Sequence, residues 1–586
     1  MRIEDEEEEV GSEYLNDVLV VELSIKEQER EDVKEAIQKE LENMKSYEVF
    51  GEKMPIGDKE VVGTRMVVTE SEKHDGQKKK IKARLVCQGF KELDKAQSDS
   101  PTAHRESLRL FLSLSAVKRY SRLSSMDISA AFLQSESLER EVFIQLPKNI
   151  EEDRSYVYKL NKPLYGLTDA GRQFWLRVRK ILKDDGFKTL VGDECFYQKY
   201  DEKGNLIGML LTHVDDFIYN GSEEFEKHVE ELFKKELSVS KIEKESFRFC
   251  GLDIKQEKGK IVVSMEDYAE AILETEIPKR AKNEDKLNAD QMTVMRGLAG
   301  QTQWLAQQCR IDIAYGAHQL SKRSRQATIK DLKYANSLVK KVKSRVSRVE
   351  YKSIGKEEDM VVFGFSDADF KAGEKSTGGQ VILLGNKKDD RVSPILWKTK
   401  LIQKACRAPK DAETIALGIA ADMATDTARQ VEQILTGKKN GSKYQARLFC
   451  DNAAVLESIV SSKQVDRRNM RSEVNILKQF VEDRTVEYVS WIQDENQIAD
   501  ILTKDKPNKI GLTDLMQQGQ LKAVKRVENI VFHNGRDYKM EGKALREKII
   551  KVKAMLPKRK KVKQVQKELK EETERIDEED RLEVEE

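Results

Sequence analysis

Cysteine, proline and long apolar stretches are all scarce in this sequence of 586 residues. Its six cysteines show no paired spacing, which argues against a secreted disulfide scaffold and against a zinc ribbon. The nine prolines exclude long proline-rich linkers. The longest apolar stretch, 110–117, is interrupted by two serines and falls far short of the ~20 residues that a membrane-spanning helix needs. The acidic run at 4–9 is the opposite of the basic start of a signal peptide.

An excess of charge of one sign is also missing. The 105 lysine and arginine residues nearly balance the 104 aspartate and glutamate residues. This balance excludes a globally basic surface for nucleic acid, but not local basic grooves. Hydrophobic residues make up 39% of the chain, which is enough for several buried cores. Since domains commonly have ~100–200 residues, we expect a soluble, intracellular protein of several domains.

Apolar periodicity predicts five parts of the chain, with the bounds 1–28, 29–275, 276–356, 357–505 and 506–586. The first is acidic and without periodicity, which predicts a disordered leader. The second opens with an amphipathic helix at 29–45 and continues with strands joined by an Asp-Gly turn at 74–76. The third is mostly helical and basic, and the fourth begins a new pattern of strands and helices. The last is a charged extension, whose basic block at 558–561 is either a solvated charge run or a patch for nuclear import or nucleic acid.

Two apolar runs meet at the pair Asp215 and Asp216, so a β-hairpin would carry both carboxylates at its tip. A third carboxylate, Asp127, lies inside an apolar strand, where its charge must be paired, hydrogen-bonded or bound to a metal. Three converging carboxylates suit two Mg²⁺ ions, which prefer oxygen ligands. Such ions about 4 Å apart activate a 3′-hydroxyl and stabilise a leaving pyrophosphate. The alternative is an ordinary polar turn, in which aspartate is common.

Six short motifs follow one another along the chain. They are Lys82-Ala83-Arg84-Leu85-Val86, Ser100-Pro101, Met126-Asp127-Ile128 with Ala131-Phe132-Leu133, Leu164-Tyr165-Gly166-Leu167, His213-Val214-Asp215-Asp216 and Phe249-Cys250-Gly251-Leu252. Each is weak alone, but their order resembles the reverse transcriptase of copia-type LTR retrotransposons, and the resemblance runs from about residue 30 to 505. It implies α+β and α/β domains: a right-hand polymerase with fingers, palm and thumb, then a helical connection and an RNase H-like domain.

The resemblance also implies roles for single residues. It assigns the three acidic residues described above to the polymerase metals. Lys82 and Arg84 resemble finger residues that neutralise a triphosphate, with a basic strand face as the alternative. Phe132 resembles the aromatic residue that lies under the sugar and disfavours a ribose 2′-hydroxyl, with a core phenylalanine as the alternative. Tyr165 and Gly166 resemble a loop that lets nucleotide and template approach the backbone, with a strand-end turn as the alternative.

The motifs depart from the family pattern at three places. His213 stands where the family usually has an aromatic residue, and Ile311 stands in an Arg-Ile-Asp triplet where Arg-Pro-Asp is usual. Residues 168–172 read Thr-Asp-Ala-Gly-Arg, whereas Lys-Gln-Ala-Pro-Arg is common. None of these changes removes a metal ligand. Asp169 is expected to add negative charge near the path of the phosphates.

Four further acidic residues occur beside apolar segments of the fourth part: Asp367, Glu413, Asp451 and Asp500. Their order resembles the RNase H domain of the same retroelements, which implies two Mg²⁺ ions that activate a water and stabilise the cleaved phosphate. Read alone, each would be a helix cap or a surface charge. Ser376, Thr377 and Trp397 match positions around the family's sheet, and we expect them to be structural or substrate-flanking.

The leading hypothesis is an RNA-directed DNA polymerase with RNase H activity that copies retroelement RNA into DNA. It implies an RNA template, a DNA primer, an RNA–DNA hybrid and dNTPs as partners, and two Mg²⁺ ions in each site, with Mn²⁺ as the substitute. It places the protein in a cytoplasmic retroelement particle or in the nucleus, not in a membrane, and leaves the oligomeric state open. The alternatives are a non-catalytic, retroelement-derived nucleic-acid-binding or structural protein, and an RNase H-type nuclease whose polymerase half is inactive.

The motifs that the sequence lacks bear on whether the chain is part of a longer polyprotein. The sequence contains neither the Asp-Thr-Gly or Asp-Ser-Gly triplet of a protease nor the His/Cys zinc cluster of an integrase. We therefore expect the C-terminal part of such a polyprotein, or a separate reading frame derived from one.

Overall fold

The residues described by the computed structural model are 13–505 with gaps at 16–17, 25–26, 74–79, 93–95, 119, 121, 440–442, 461–469 and 493, and also 514–521 and 530–531. Within them the chain folds into four β-sheets with helices packed around them. The turn predicted at 74–76 and the basic block at 558–561 lie outside the described residues. Among the helices described, none is both long enough and apolar enough to cross a membrane.

The strands in chain order are β1 (Glu13–Leu15), β2 (Val18–Glu22), β3 (Phe50–Pro55), β4 (Val61–Lys73), β5 (Lys80–Cys87), β6 (Leu123–Ile128), β7 (Phe143–Gln145), β8 (Tyr156–Leu160), β9 (Lys188–Leu190), β10 (Asp193–Tyr200), β11 (Leu206–His213), β12 (Asp216–Gly221), β13 (Val239–Lys244), β14 (Ser246–Phe249), β15 (Leu252–Glu257), β16 (Lys260–Ser264), β17 (Arg348–Lys352), β18 (Met360–Asp369), β19 (Thr377–Asn386), β20 (Val392–Leu401), β21 (Ala446–Cys450), β22 (Val486–Trp491) and β23 (Ile530–Val531). The helices are α1 (Glu31–Ser46), α2 (Arg105–Lys118), α3 (Ala170–Asp184), α4 (Glu223–Glu236), α5 (Glu266–Ala271), α6 (Ala289–Gln308), α7 (Ala314–Arg323), α8 (Ile329–Lys343), α9 (Pro409–Thr436), α10 (Ala453–Val460) and α11 (Arg471–Glu482). Short 3₁₀ turns add two segments that matter below, Ala131–Gln134 and Ile498–Leu502.

The N-terminal sheet has the strand order β1-β2-β4-β7-β8-β3, with β5 paired to β4. The predicted hairpin is present, because β4 and β5 pair in antiparallel register. Helix α1 buries Val33 and Met44 in the core of this sheet, as its periodicity predicts. The disorder predicted for the leader is wrong for residues 18–22, since β2 pairs along β4 and thereby satisfies its backbone hydrogen-bonding groups.

The central sheet has the order β13-β6-β12-β11-β10-β9, and all of its neighbouring strands are antiparallel. Successive side chains of a strand point to opposite faces. On β11, Leu210 packs with Phe174 and Val178 of α3, whereas Leu211 joins a larger core on the other side. Because both faces are covered, the sheet is a rigid support for whatever its strand ends carry.

The C-terminal sheet has the order β20-β19-β18-β21-β22-β23. Strands β18, β19 and β20 are antiparallel neighbours, and β21 and β22 lie parallel to β18. Helix α9 packs closely on this sheet through buried alanines at four-residue spacing: Ala416, Ala420, Ala424 and Ala428. A Cβ atom on Gly364 of β18 would lie 3.3 Å from the Ala424 Cβ, so small residues on both elements permit the close approach.

The segment between these sheets is mostly helical, as predicted. Helices α6, α7 and α8 pack together, and β17 returns to pair with β16 in the small sheet β14-β15-β16-β17. Arg310 is buried after α6, where its guanidinium pairs with Asp312 at 2.8 Å and donates to the carbonyls of Lys341 and Val342. The triplet that contains Ile311 therefore ties the α6–α7 turn to the end of α8.

A buried arginine joins the central and C-terminal parts of the molecule. Arg109 of α2 lies 3.5 Å over the ring of Trp397 of β20. Its guanidinium also donates to the carbonyls of Gln307, Gln308 and Ile395. Trp397 is therefore structural, as expected. Since one apolar core contains residues of both parts, this contact lies inside a continuous packed body.

Replacement of Arg109 by leucine is expected to lower the free energy of unfolding by about 3 kcal/mol, because three buried carbonyls lose their donor. Urea denaturation followed by tryptophan fluorescence measures the change. The control is Arg429→Leu, which removes an exposed arginine of α9 and is expected to change stability by about 0.5 kcal/mol or less. Equal effects of the two substitutions would contradict the structural role of Arg109.

Candidate active sites

The first cluster of carboxylates lies where β6 and β12 run side by side in the central sheet. Asp216 begins β12 and stands directly opposite Asp127 of β6 in the antiparallel register. Asp215 occupies the turn just before β12, and its carbonyl oxygen accepts a hydrogen bond of 3.1 Å from the Ile128 N–H. Val214 has a φ of 57°, a left-handed conformation that is strained for a β-branched residue. The turn thus brings the three predicted residues together at one end of the neighbouring strands β6 and β12.

These carboxylates repel one another. Burial, together with the charges of Asp215 and Asp127, raises the pKa of Asp216 to about 6. Asp215 is exposed at the turn, yet the protein around its carboxyl group and the charge of Asp127 raise its pKa as well. A bound divalent cation would offset this repulsion, because an opposite charge favours the ionised form of a carboxyl group.

Ser240 contacts Asp127 of the first cluster, a contact that was not predicted from the sequence. It lies on β13 where the register with β6 shifts between Val239 and Lys241. Its hydroxyl is within hydrogen-bond distance of the Asp127 carboxylate and 3.0 Å from the Asp127 carbonyl oxygen. The sequence carries no signal for this contact, because a serine in a polar strand has the pattern of a surface residue.

The predicted nucleotide-binding residues lie beside the first cluster. The guanidinium of Arg84 is 5.8 Å from the ring centre of Tyr165, and that ring is 5.2 Å from the ring of Phe132. Lys82 precedes Arg84 by two positions on β5 and so shares its face of the strand. The charge of Arg84 acts on Asp215, since it opposes the rise in the pKa of that carboxyl group. Arg84 and Tyr165 therefore lie near enough to Asp215 for their charges to interact, and Phe132 packs against Tyr165.

Gly166 is explained by a close approach of two backbones. Its φ is 83°, and a Cβ atom there would lie 2.2 Å from the Cys87 carbonyl oxygen. The neighbouring Tyr165 carbonyl accepts a hydrogen bond of 2.7 Å from the Cys87 N–H. The turn is thus fixed against β5. This close packing explains why residue 166 is a glycine, whether or not a nucleotide binds there.

The prediction that Asp169 adds charge near the phosphate path is wrong. Asp169 is only 1% exposed and pairs with Arg140 at 2.8 Å. Arg140 also pairs with Glu92 at 3.2 Å, and Glu92 accepts a hydrogen bond of 2.9 Å from the Thr168 hydroxyl. The unusual residues at 168 and 169 therefore belong to an ion network of two buried acids, Asp169 and Glu92, in which Arg140 offsets one of the two negative charges.

The second cluster lies on the C-terminal sheet. Asp367 is near the end of β18 and Asp451 directly follows β21, the strand parallel to it. The pairing of Phe365 with Phe449 places Asp367 level with Asp451 two residues later. The 3₁₀ turn Ile498–Leu502 adds Asp500, so that ligand atoms of these three aspartates lie within 4.8 Å of one another.

Glu413 is the fourth acidic residue of the second cluster. It lies on α9, the helix that packs on the C-terminal sheet. Ligand atoms of Glu413, Cys450 and Asp451 also lie within 4.8 Å of one another. Cys450 is a buried thiol, and thiols are poor ligands for Mg²⁺. Among the described residues, the three acidic residues of the first cluster do not approach one another this closely. All four residues predicted for the second cluster nevertheless meet in one place.

The electrostatics of the second cluster are stronger than those of the first. Burial and the charge of Asp367 raise the pKa of Asp451 to about 7 and that of Asp500 to about 6. Burial raises the pKa of Glu413 well above its usual value, with added effects from Asp367 and Asp451. The Glu413 Oε2 atom is buried and lacks a hydrogen-bond partner. An unsatisfied buried carboxylate oxygen beside three other acids fits a cation site.

Two neighbours of the second cluster were not predicted. The Thr503 hydroxyl donates a hydrogen bond to the Asp367 carboxylate. Lys504 lies 2.6 Å from Asp500 and 3.7 Å from Asp367, so it offsets part of the negative charge. Their position directly after the last acidic residue was the available signal, but spacing alone does not tell a partner from a surface residue.

Comparison with known proteins agrees with the first cluster. Residues 44–280 match the family model described as reverse transcriptase (RNA-dependent DNA polymerase). A Pol polyprotein from the Arabidopsis thaliana transposon RE1 is 28% identical over 60% of this chain and 25% of its own length. The corresponding RE2 polyprotein of A. thaliana is 25% identical over 76% of this chain and 31% of its own length. The Pol polyprotein of the Nicotiana tabacum transposon TNT 1-94 is 25% identical over 75% of this chain and 34% of its own length.

The chain is a relative of copia-type Pol polyproteins. This confirms the resemblance that the six motifs indicate, all of which lie within the matched residues 44–280. The chain spans about a quarter to a third of the length of these relatives. The second cluster, which begins at Asp367, lies beyond the residues that the family model matches.

Solved structures also match part of this chain, and one of them is an RNase H domain. The N-terminal RNase H domain of a Mycobacterium tuberculosis protein, fused to maltose-binding protein, is similar over 25% of this chain and 92% of that chain. The sequence identity is 14% and the TM-score is 0.19. A similarity with so low a TM-score supports no conclusion about the fold of the present chain.

Metal binding to this copia-type relative is expected to depend on pH. In the metal-free chain, Asp451 and Asp500 have folded-state pKa values of about 7 and 6, above the value of about 4 for an unfolded aspartate. The folded state therefore holds extra protons between these values, and its stability falls as the pH rises through that window. Mg²⁺ should reverse this loss, because it binds the deprotonated carboxylates.

Calorimetry with and without Mg²⁺ measures the effect. We expect Mg²⁺ to raise the thermal midpoint by several degrees at about pH 8 and by almost nothing at about pH 5. Asp451→Asn should reduce the rise at the higher pH. An Mg²⁺-dependent rise that is equal at both pH values would contradict the carboxylate cluster as its origin.

Proposed function

We propose that the chain is an RNA-directed DNA polymerase that also degrades the RNA strand of an RNA–DNA hybrid. The observation that carries the proposal is the convergence of seven predicted acidic residues into two clusters on two different sheets. Each cluster suits two Mg²⁺ ions, with Mn²⁺ as the substitute. The relatives are retroelement polyproteins, so we place the activity in a retroelement particle, in the cytoplasm or the nucleus.

The central sheet would act as the palm of the polymerase. Asp127, Asp215 and Asp216 would hold two metal ions, which lower the pKa of a primer 3′-hydroxyl and stabilise the leaving pyrophosphate. Ser240 would keep the Asp127 carboxylate in a single orientation. A fixed orientation matters because a small displacement of a catalytic group has a large effect on rate.

The N-terminal sheet would act as the fingers. Lys82 and Arg84 would neutralise the incoming triphosphate, because both lie on one exposed face of β5 and the charge of Arg84 acts on Asp215 of the first cluster. The ring of Phe132, packed against Tyr165, would occupy the space that a ribose 2′-hydroxyl needs. The nucleotide would thus be held between cations, a ring and the metal-binding carboxylates.

Helices α6 to α8 would act as thumb and connection. On α6, Arg296, Gly300 and Trp304 follow one another at four-residue spacing and are all exposed. A Cβ atom at Gly300 would meet nothing within 4 Å, so the helix presents open backbone between a cation and an aromatic ring. Such a face suits the backbone and sugars of a hybrid that is recognised by shape.

The C-terminal sheet would carry the RNase H activity. Asp367, Glu413, Asp451 and Asp500 would hold two metal ions, which supply a nucleophilic hydroxide and stabilise the cleaved phosphate. Lys504 would limit the repulsion between Asp367 and Asp500 while no substrate is bound. Asp451 belongs to both close sets of ligand atoms, so its carboxylate would be a central ligand of this site.

A second candidate is a nuclease whose polymerase half is inactive. The wider spacing of the first cluster favours it, because among the described residues the only three acids whose ligand atoms all lie within 4.8 Å of one another are Asp367, Asp451 and Asp500. A non-catalytic binding protein is less well supported. It would have no use for a buried, unpartnered carboxylate oxygen such as Glu413 Oε2, which lowers stability.

The two activities should be separable by single substitutions. Asp216→Asn is expected to lower primer extension on an RNA template at least ~100-fold and to leave hybrid cleavage within about twofold. Asp451→Asn is expected to do the reverse. Exposed Asp58 provides a matched control, since Asp58→Asn should change neither rate.

The same assays distinguish the candidates. Hybrid cleavage without primer extension in the unsubstituted chain would identify the nuclease with an inactive polymerase half. Salt-sensitive hybrid binding without either reaction, with Mg²⁺ or Mn²⁺, would identify the non-catalytic protein. Full primer extension by the Asp216→Asn variant would refute the site assignment itself.

Phe132 should control the choice between dNTPs and rNTPs. Phe132→Ala removes the ring beside Tyr165 and opens space for a 2′-hydroxyl. We expect the ratio of rNTP to dNTP incorporation to rise at least ~10-fold, measured as a ratio of kcat/KM values. Phe90→Ala, at an exposed phenylalanine, should leave the ratio unchanged. If Phe132→Ala also left it unchanged, Phe132 would be a core residue only.

A further inference from the structure

A cavity of about 280 Å³ lies between the central sheet and the C-terminal end of α9, away from both acidic clusters. Its lining combines α3 and the adjoining strands β9 and β10 with the residues at the end of α9. Gln433 of α9 fixes the two sides together, because it accepts from the Val191 N–H at 3.0 Å and donates to the Thr189 carbonyl at 2.9 Å. The Tyr200 hydroxyl donates to the Gln433 carbonyl at 2.7 Å. These hydrogen bonds therefore hold the two sides of the cavity in a fixed arrangement.

The charge of the cavity lining is of one sign. Its charged residues are Arg179, Lys183, Lys188 and Lys439, and no carboxylate lines it among the described residues. Arg179 has a distant acidic partner, Glu194, at 3.9 Å. In the part of the chain that the structure describes, the three lysines form no ion pair. Arg179 is partly buried and the three lysines are exposed at the mouth of the cavity, so the four cations give the opening a positive potential that attracts an anion.

Two buried polar groups in the lining also lack partners. The Tyr197 residue is 1% exposed, and its hydroxyl has no hydrogen-bond partner. The neighbouring Gln198 is fully buried, and its Oε1 atom has none either. The two side chains point to opposite faces of β10, and it is the Tyr197 hydroxyl that lies within reach of the Arg179 charge. Since buried polar groups are nearly always hydrogen-bonded, this hydroxyl indicates that something polar completes the site. The tyrosine hydroxyl can donate to an anion, whereas the glutamine oxygen can accept from a protonated oxygen or a water.

The end of α9 does not account for this much positive charge. A helix C-terminus carries about half a negative charge, against four cations in the lining. Its carbonyls at Gln433 and Ile434 already accept hydrogen bonds from the Tyr200 hydroxyl. The cations therefore exceed what is needed to compensate the helix.

We propose that this cavity is a binding site for a compact phosphorylated anion, such as an oligophosphate or adjacent phosphates of a nucleic-acid strand. The volume suits a phosphate group with its near neighbours better than a drug-sized ligand, for which pockets of ~300–1,000 Å³ are typical. Because both sides of the junction line the cavity, a bound anion stabilises their docking. The site lies apart from the nucleotide-binding residues of the proposed polymerase and does not depend on that function.

Titration calorimetry of the full chain with tripolyphosphate tests the proposal. EDTA is present throughout, so that metal-dependent binding at the acidic clusters does not contribute. We expect the double variant Lys183→Gln/Lys188→Gln to weaken binding at least ~10-fold, and Tyr197→Phe to weaken it several-fold. The matched control Lys180→Gln/Lys203→Gln removes the same charge from exposed lysines outside the cavity and should change the affinity less than about twofold.

A further variant identifies the site that binds. Arg84→Gln removes a cation of the proposed nucleotide site, which would itself attract a triphosphate, so the cavity is tested in that background. Lys183→Gln/Lys188→Gln should still weaken tripolyphosphate binding at least ~10-fold in the Arg84→Gln variant. If Arg84→Gln abolishes binding, or if the two double variants lose affinity equally, the cavity site is refuted. The absence of any tripolyphosphate binding by the unsubstituted chain would refute it as well.

A short single-stranded DNA distinguishes the two sources of phosphate. If the ligand is a nucleic-acid strand, tripolyphosphate and the DNA compete, and the cavity double variant loses affinity for both. If the ligand is a free oligophosphate, the DNA affinity is unchanged by the double variant while the tripolyphosphate affinity falls. Either pattern supports the phosphate site.

Discussion

Repulsion between carboxylates is the constraint on which both candidate active sites depend. The fold brings Asp216 opposite Asp127 and packs four acids at one end of the C-terminal sheet, where burial raises several of their pKa values. Holding such groups together lowers stability unless cations are bound. The fold resists this repulsion, because every one of these acids is held in place by a strand end, a turn or a helix. The close approach of these acids therefore lowers stability, and bound metal ions would offset that loss.

The two clusters belong to one packed body. The large apolar core contains residues of both the central and the C-terminal sheets, and Arg109 crosses the junction to stack on Trp397 and bond three carbonyls. This continuity limits how far the two proposed sites can move relative to each other. A hybrid made at one site would therefore reach the other along a path of fixed length, which suits an enzyme that copies RNA and then degrades it.

Much of the site could be predicted because its signals are local. An aspartate inside an apolar strand, an Asp-Asp pair between two apolar runs and acids at segment ends all depend on near neighbours in the sequence. The contacts of Ser240, Asp169 and Thr503 could not be predicted, since each depends on a partner from a distant segment or on a register shift. The strand β2 did have a local signal, the apolar run Val18-Leu19-Val20-Val21, but it stands in an acidic segment, and its pairing with β4 is what shows it to be a strand.

Diffraction from crystals of the full chain soaked with Mn²⁺ tests the central claim most directly. Anomalous scattering locates the ions without any assumption about their ligands. The account predicts ions within coordination distance, ~2.2 Å, of the carboxylates in both the Asp127–Asp216 cluster and the Asp367–Asp500 cluster. Ions bound only elsewhere, or at neither cluster, would contradict it.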